Sequence, residues 1–193
     1  MEKSVCRIYG SKTTITGFLC LIPFKNYLLK VIITGDYDFE REFKIKILFG
    51  DNKEKIIKID KFTRRMYKRD FVSIMELKEN EFDSEDYLLV DKDIWEEKDL
   101  EKTYLEKEIY IILYPEGHGV KFSASIIKHL YDYGKTLLYD CQTNYGSCGA
   151  PILNSNTLKV IGIHLGRFGG SKTKLGHSIK YHINNFIEEA KFK

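Results

Sequence analysis

Short runs of alternating or β-branched apolar residues, each closed off by a turn signal, recur along almost the whole chain, a rhythm that points to an all-β fold. One set of candidate strands comprises Val5–Tyr9, Thr16–Ile22, Tyr27–Thr34, Glu42–Phe49, Glu54–Asp60 and Phe71–Leu77. A second comprises Ile109–Tyr114, Val120–Ile127, Thr136–Asp140, Pro151–Asn154, Lys159–His164 and Lys174–Ile179. Between them, Asp83 to Glu108 is charged, holds Trp95 and few turn formers, and reads as a connector, irregular or briefly helical. Only the tail changes period. From Tyr181 to Lys191, the residues Ile183, Phe186, Ile187 and Ala190 fall at helical spacing, which predicts one closing helix.

At 193 residues the chain fits one or two small domains with a real core. Its 31 basic and 28 acidic residues nearly cancel, so nothing in the charge argues for a nucleic-acid partner. The lysines between Phe43 and Lys61 alternate with apolar residues, as the solvated face of strands would. No apolar stretch approaches bilayer length and the first residues do not read as a signal peptide, so the expectation is a cytoplasmic protein without a membrane partner. Cys6, Cys20, Cys141 and Cys148 show neither Cys-x-x-Cys pairing nor metal-ligand spacing. Reduced thiols, no metal and no cofactor are expected.

Function is concentrated in two stretches. Residues Thr143-Asn144-Tyr145-Gly146-Ser147-Cys148-Gly149-Ala150-Pro151 form a tight polar turn with one cysteine between small residues, and sixteen residues after that cysteine comes His164 within Gly162-Ile163-His164-Leu165-Gly166. A nucleophile needs a turn that exposes its side chain and aims backbone N–H groups at a developing negative charge. The amides of Gly146 and Cys148 are the candidate oxyanion donors. Taken alone, a cysteine such as Cys148 is more often a small buried hydrophobe than a nucleophile.

The Gly-x-Cys-Gly turn resembles that of chymotrypsin-like (trypsin-like, PA clan) peptidases. With Thr143 five residues before the cysteine, Gly149-Ala150-Pro151 after it and the later Gly-Ile-His-x-Gly, it is similar to bacterial glutamyl endopeptidases and picornavirus cysteine peptidases. The resemblance implies two six-stranded antiparallel β-barrels with a C-terminal helix: an N-terminal barrel over 1–82, a connector over 83–108, and a second barrel plus helix over 109–193. It implies a peptide or protein substrate and an endopeptidase ancestry. Thr143 and His164 become the pocket that selects Glu or Gln before the scissile bond, and the strand at Leu165-Gly166 offers backbone to an extended peptide.

The same resemblance implies a His base and an orienting Asp from the first barrel. Arg69-Asp70-Phe71-Val72-Ser73-Ile74 matches the pattern around that Asp, making Asp70 the candidate; the rival reading is an ordinary strand-end turn residue. Where His is expected, after Val31-Ile32-Ile33-Thr34-Gly35-Asp36, stands Tyr37, and no histidine occurs in the first 117 residues. A phenol with a pKa near 10 is a poor base beside an imidazole near 6.5. Losing the His of a serine triad costs on the order of 10⁶ in turnover. A thiol softens that loss, because a few per cent is thiolate at neutral pH without any base.

Three readings therefore stand: an impaired or inactive peptidase homologue, a peptide-binding pseudoprotease module, and an active cysteine peptidase with a non-standard base such as His118 or His129.

Overall fold

The computed structural model describes residues 2–10, 14–50, 53–83, 87–96, 99–115, 119–169 and 172–190. The first set of strands is β1 (Val5–Tyr9), β2 (Thr14–Phe24), β3 (Tyr27–Thr34), β4 (Lys44–Phe49), β5 (Glu54–Lys58), β6 (Met66–Arg69) and β7 (Val72–Glu76). They hydrogen-bond in the order β5-β4-β1-β2-β3-β7-β6, and the short β8 (Leu88–Leu89) pairs in parallel with β2. The second set, β9 (Glu108–Leu113), β10 (Lys121–Tyr131), β11 (Thr136–Tyr139), β12 (Pro151–Asn154), β13 (Val160–Arg167) and β14 (Lys174–Ser178), closes into a barrel in the order β10-β11-β14-β13-β12-β9.

Alternation explains the strands. In β4, Ile45, Ile47 and Phe49 are buried while Lys44 and Lys46 face solvent, a period of two that only a half-buried strand satisfies. Those side chains join Ile8, Leu19, Ile32 and Met75 in a core enclosed by the curled first sheet. A larger core unites the opposite face of that sheet (Phe18, Ile22, Val31, Ile33) with the barrel interior (Ile111, Tyr139, Ile152, Ile163) and with Ile183 and Phe186 of the terminal helix. The larger core thus runs through both halves.

Of the two expected barrels, the second is closed and the first is not: β5 and β6 end the sheet without pairing to each other. A side chain spans the gap instead. The buried Arg64 guanidinium donates to the carbonyls of Lys58 and Glu76 at 3.1 Å each and forks onto Glu81 at 2.6 and 2.8 Å. Burial by itself would raise the carboxyl pKa of Glu81, but Arg64 outweighs it and holds the group below the usual carboxylate value.

The connector carries β8 and two short helices, α1 (Asp93–Glu96) and α2 (Leu100–Tyr104), the latter capped by Asp99 accepting from the Lys102 N–H at 3.0 Å. The tail forms α3 (Ile179–Glu189), which buries Ile179, His182, Ile183 and Phe186 at the spacing of one helical face. Among the described residues, no helix is long and apolar enough to cross a membrane.

Candidate active site

The cysteine turn joins β11 to β12 and is tied to both halves of the molecule. Thr16 on β2 donates its N–H to the Cys148 carbonyl at 3.1 Å and its hydroxyl to the Gly146 carbonyl at 2.7 Å. Within the second barrel, Gly149 N–H donates to the His164 carbonyl and His164 N–H to the Ala150 carbonyl, each at 2.8 Å. Gly149 has φ +90°, and a Cβ there would run into the Thr16 carbonyl and the Gly35 amide. Only glycine meets both conditions.

The thiol of Cys148, partly exposed, lies where β3 runs out. A Cβ on Gly35 would collide with its Sγ, and the Asp36 N–H hydrogen-bonds to it. Burial raises the thiol pKa, the Asp36 N–H partly offsets this, and the Asp36 carboxylate adds to the rise. That carboxylate is itself paired with Lys68 at 2.8 Å. The Gly146 and Cys148 amides donate to no backbone carbonyl among the described residues.

Tyr37 and Asp70 are not gathered around the sulfur. The Tyr37 ring turns into the first sheet's core, 5.0 Å from Phe39 and against Gly10, and its hydroxyl is buried without a hydrogen-bond partner. Desolvation drives the phenol pKa far upward, the opposite of what a base requires. Asp70 sits at the tip of the β6–β7 hairpin, where it and Phe71 take φ of 50° and 64°. This two-residue turn carries the carboxylate to Lys135 at 2.7 Å and to the Tyr181 hydroxyl at 3.1 Å. The Lys135 hydrogen bond, ahead of the Tyr181 one, lowers its pKa. The polar group that meets the Tyr37 backbone is Ser73, buried, with its Oγ accepting from the Tyr37 N–H at 3.2 Å and donating to the Tyr37 carbonyl at 2.5 Å. A serine inside an apolar strand carries no sequence signal for such a role.

His164 is buried, its Nδ1 2.7 Å from the Tyr139 hydroxyl. Burial, and secondarily the charge of Lys174, lower its pKa to about 3, so the ring is neutral at physiological pH. In the tautomer whose Nδ1 accepts from Tyr139, the ring proton is on Nε2. Gly176 keeps the space: a Cβ there would approach the Tyr139 hydroxyl to 3.1 Å.

Thr143 lines an open groove of about 1060 Å³ bordered by Leu113, Phe122, Cys141, Arg167 and Lys174. Beside it, the pairing of β13 with β14 shifts register between His164 and Gly166, leaving Leu165 as the bulged residue. Since β13 pairs with β12 only as far as Ile163, the Leu165–Arg167 backbone extends beyond that strand.

Other imidazoles are engaged elsewhere. His177 Nδ1 and His182 Nε2 lie 3.1 Å apart in stacked rings, and His182 Nδ1 is 3.1 Å from the Tyr67 hydroxyl, a buried chain between the two halves. Burial, reinforced by His177, lowers the His182 pKa to about 3. His129 lies beside Tyr131 on β10. His118 lies outside the described residues.

Residues 40–169 match the sequence pattern of the 3C cysteine protease (picornain 3C) family. The chain belongs to that family. The matched stretch holds the whole cysteine turn and His164, and begins just after Tyr37. No curated protein sequence matches the chain. Among solved structures, the fold of this 3C-family chain is shared with a serine endoprotease from Yersinia pestis (TM-score 0.70, 12% identity, 98% of this chain and 64% of that one). It is shared too with an inactive form of a protein from M. tuberculosis H37Rv (TM-score 0.67, 15% identity, 96% and 87%). A third is the HtrA-type protease AlgW with tripeptide (TM-score 0.68, 13% identity, 98% and 62%). The chain therefore spans less than two thirds of the length of the first and third. At such identities the likeness is one of fold.

Proposed function

We propose that this 3C-family chain is a peptidase homologue that holds an extended peptide with Glu or Gln at the Thr143–His164 pocket and cleaves it poorly or not at all. The observation that carries this is the surroundings of the Cys148 sulfur, which meets Gly35 and the Asp36 N–H, while the imidazoles of His164, His177 and His182 are committed to Tyr139, to each other and to Tyr67.

Efficient amide cleavage needs two proton transfers: removal of the thiol proton on attack, and delivery of a proton to the departing amine. A cysteine can supply a little thiolate unaided, but burial diminishes that fraction here and the Asp36 N–H offsets it only in part. Among the described residues, no donor stands ready for the leaving amine. Peptide holding survives these losses, because it draws on other groups. The amides of Gly146 and Cys148 suit a carbonyl oxygen, the Leu165–Arg167 backbone suits strand addition, and the Thr143 hydroxyl with His164 Nε2–H suits a carboxylate or amide side chain.

Fluorogenic peptides ending in Glu or Gln, offered to wild type, Cys148→Ala and Tyr37→His, test the proposal. Wild type should hydrolyse them no faster than Cys148→Ala while binding them measurably. Hydrolysis that disappears in Cys148→Ala would show an active cysteine peptidase instead, and its loss in His118→Ala would identify the base.

A further inference from the structure

Lys174 opens β14 at the mouth of the barrel. It pairs with Tyr139 on one side and Arg167 on the other, and shares the inward face of its strand with Gly176, two residues on. The residue is 5% exposed, yet it lines the groove together with Thr143. Among the described residues, no carboxylate comes within ion-pair distance of its ammonium and none hydrogen-bonds to it. Asp140, the acidic residue lining that groove, is taken by Lys128 at 2.5 Å and interacts with Lys174 only at longer range.

An ammonium in the groove wall without a carboxylate partner leaves its charge open to a ligand anion, which would bind it in a charge-assisted contact. We infer that Lys174 is a specificity-determining residue that makes the groove beside Thr143 an anion subsite, selecting a substrate carboxylate over the isosteric amide. The inference rests on the peptide-holding reading above and deepens it from Glu or Gln to Glu.

Neutral donors alone would not make that choice. The Thr143 hydroxyl and an imidazole N–H can donate equally well to a carboxylate oxygen or an amide oxygen. His164 brings no charge, being kept neutral by burial and by Lys174 itself. An ammonium separates the two ligands, because a charge-assisted bond is about twice as strong as a neutral one. The rim agrees in sign: Lys121, Arg167 and Lys172 border the same groove, so an acidic peptide is drawn toward it and an amide is not.

The experiment uses full-length Cys148→Ala protein, which cannot turn substrate over through the thiol, and two labelled extended peptides that differ only by Glu or Gln at the selected position. Fluorescence anisotropy should show the Glu peptide bound about tenfold tighter or more. Lys174→Met should bring the ratio close to one by weakening the Glu complex, with the Gln complex changed less than about threefold. Lys174→Arg should keep a preference for Glu. Equal binding of both peptides to the parent protein overturns the role of Lys174 and leaves peptide holding intact, a result that needs no Lys174 variant to fold. Binding of neither overturns both, and a Glu preference that persists in folded Lys174→Met overturns the assignment to this residue.

Discussion

Gly35 lies so close to Cys148 that no Cβ would fit between its backbone and the sulfur. Gly35→Ala must therefore displace the cysteine turn or the end of β3. The expected cost is about 1–3 kcal/mol, seen as a lower midpoint in urea, together with a changed alkylation rate at Cys148. A variant of unaltered stability and reactivity would mean that the two segments are not in contact.

Reactivity of the thiols should follow burial. Cys6 and Cys20 are fully enclosed, and desolvation raises both. Cys141 is pushed up to about 11 by burial, and Cys148 is raised by burial, which the Asp36 N–H offsets in part. With iodoacetamide, mass mapping should find Cys148 and Cys141 modified slowly at neutral pH and faster as the solution becomes alkaline, with Cys6 and Cys20 untouched. Rapid modification of Cys148 at pH about 7 would point to an activating base.

Asp70→Asn distinguishes a structural carboxylate from a catalytic one. Its partners are Lys135 and Tyr181 at a part-exposed site, so stability should fall by no more than about 1 kcal/mol. Cys148 alkylation should not change. A large change would tie Asp70 to the sulfur after all.

Acid should weaken the fold through its neutral histidines. His164 and His182 have folded pKa values of about 3, below the ordinary value near 6.5. Below that ordinary value the unfolded chain binds protons that the folded chain refuses. Stability present at neutral pH is therefore lost as pH falls toward the folded pKa, at roughly 1.4 kcal/mol per pH unit for each fully titrating ring. Urea midpoints measured between pH about 7 and 4 should decline, and Tyr139→Phe should lower stability throughout by about 1–3 kcal/mol, because it leaves His164 Nδ1 without its hydrogen-bond partner.

Arg64→Ala should be among the most damaging single changes, at roughly 3–5 kcal/mol, since it strands the Glu81 carboxylate and releases two strand carbonyls. Arg64→Ala combined with Glu81→Gln should recover part of the loss. Thermal denaturation of the three proteins decides it.

Much of this architecture was legible where side chains alternate. β1, β3 and β12 fall on the expected residues, and the closing helix begins two residues early. β6 was missed because Met66-Tyr67-Lys68-Arg69 buries its first two residues and exposes its last two, with no period of two to find. The first barrel is a curled sheet whose end strands do not pair, and the Arg64 contacts to Lys58 and Glu76 beside that seam are invisible in any strand pattern. Around the site, the cysteine turn announced itself through its glycines, whereas Asp70 matched a motif but sits on a tight hairpin that turns it toward Lys135. Lys174 gave no signal, because lysine in a strand ordinarily reads as a solvated residue, and Ser73 gave none either.

The unjoined margins of the first sheet have a consequence for how copies of the chain meet. A strand lacking a neighbour invites another molecule to stack on it, yet β5 presents Lys55 and Lys58 and β6 ends in Lys68-Arg69. On the β6 border those cations are already paired with Asp36 and Glu189, so it is the β5 lysines that hinder an approaching twin and let the seam stay ajar without seeding fibres.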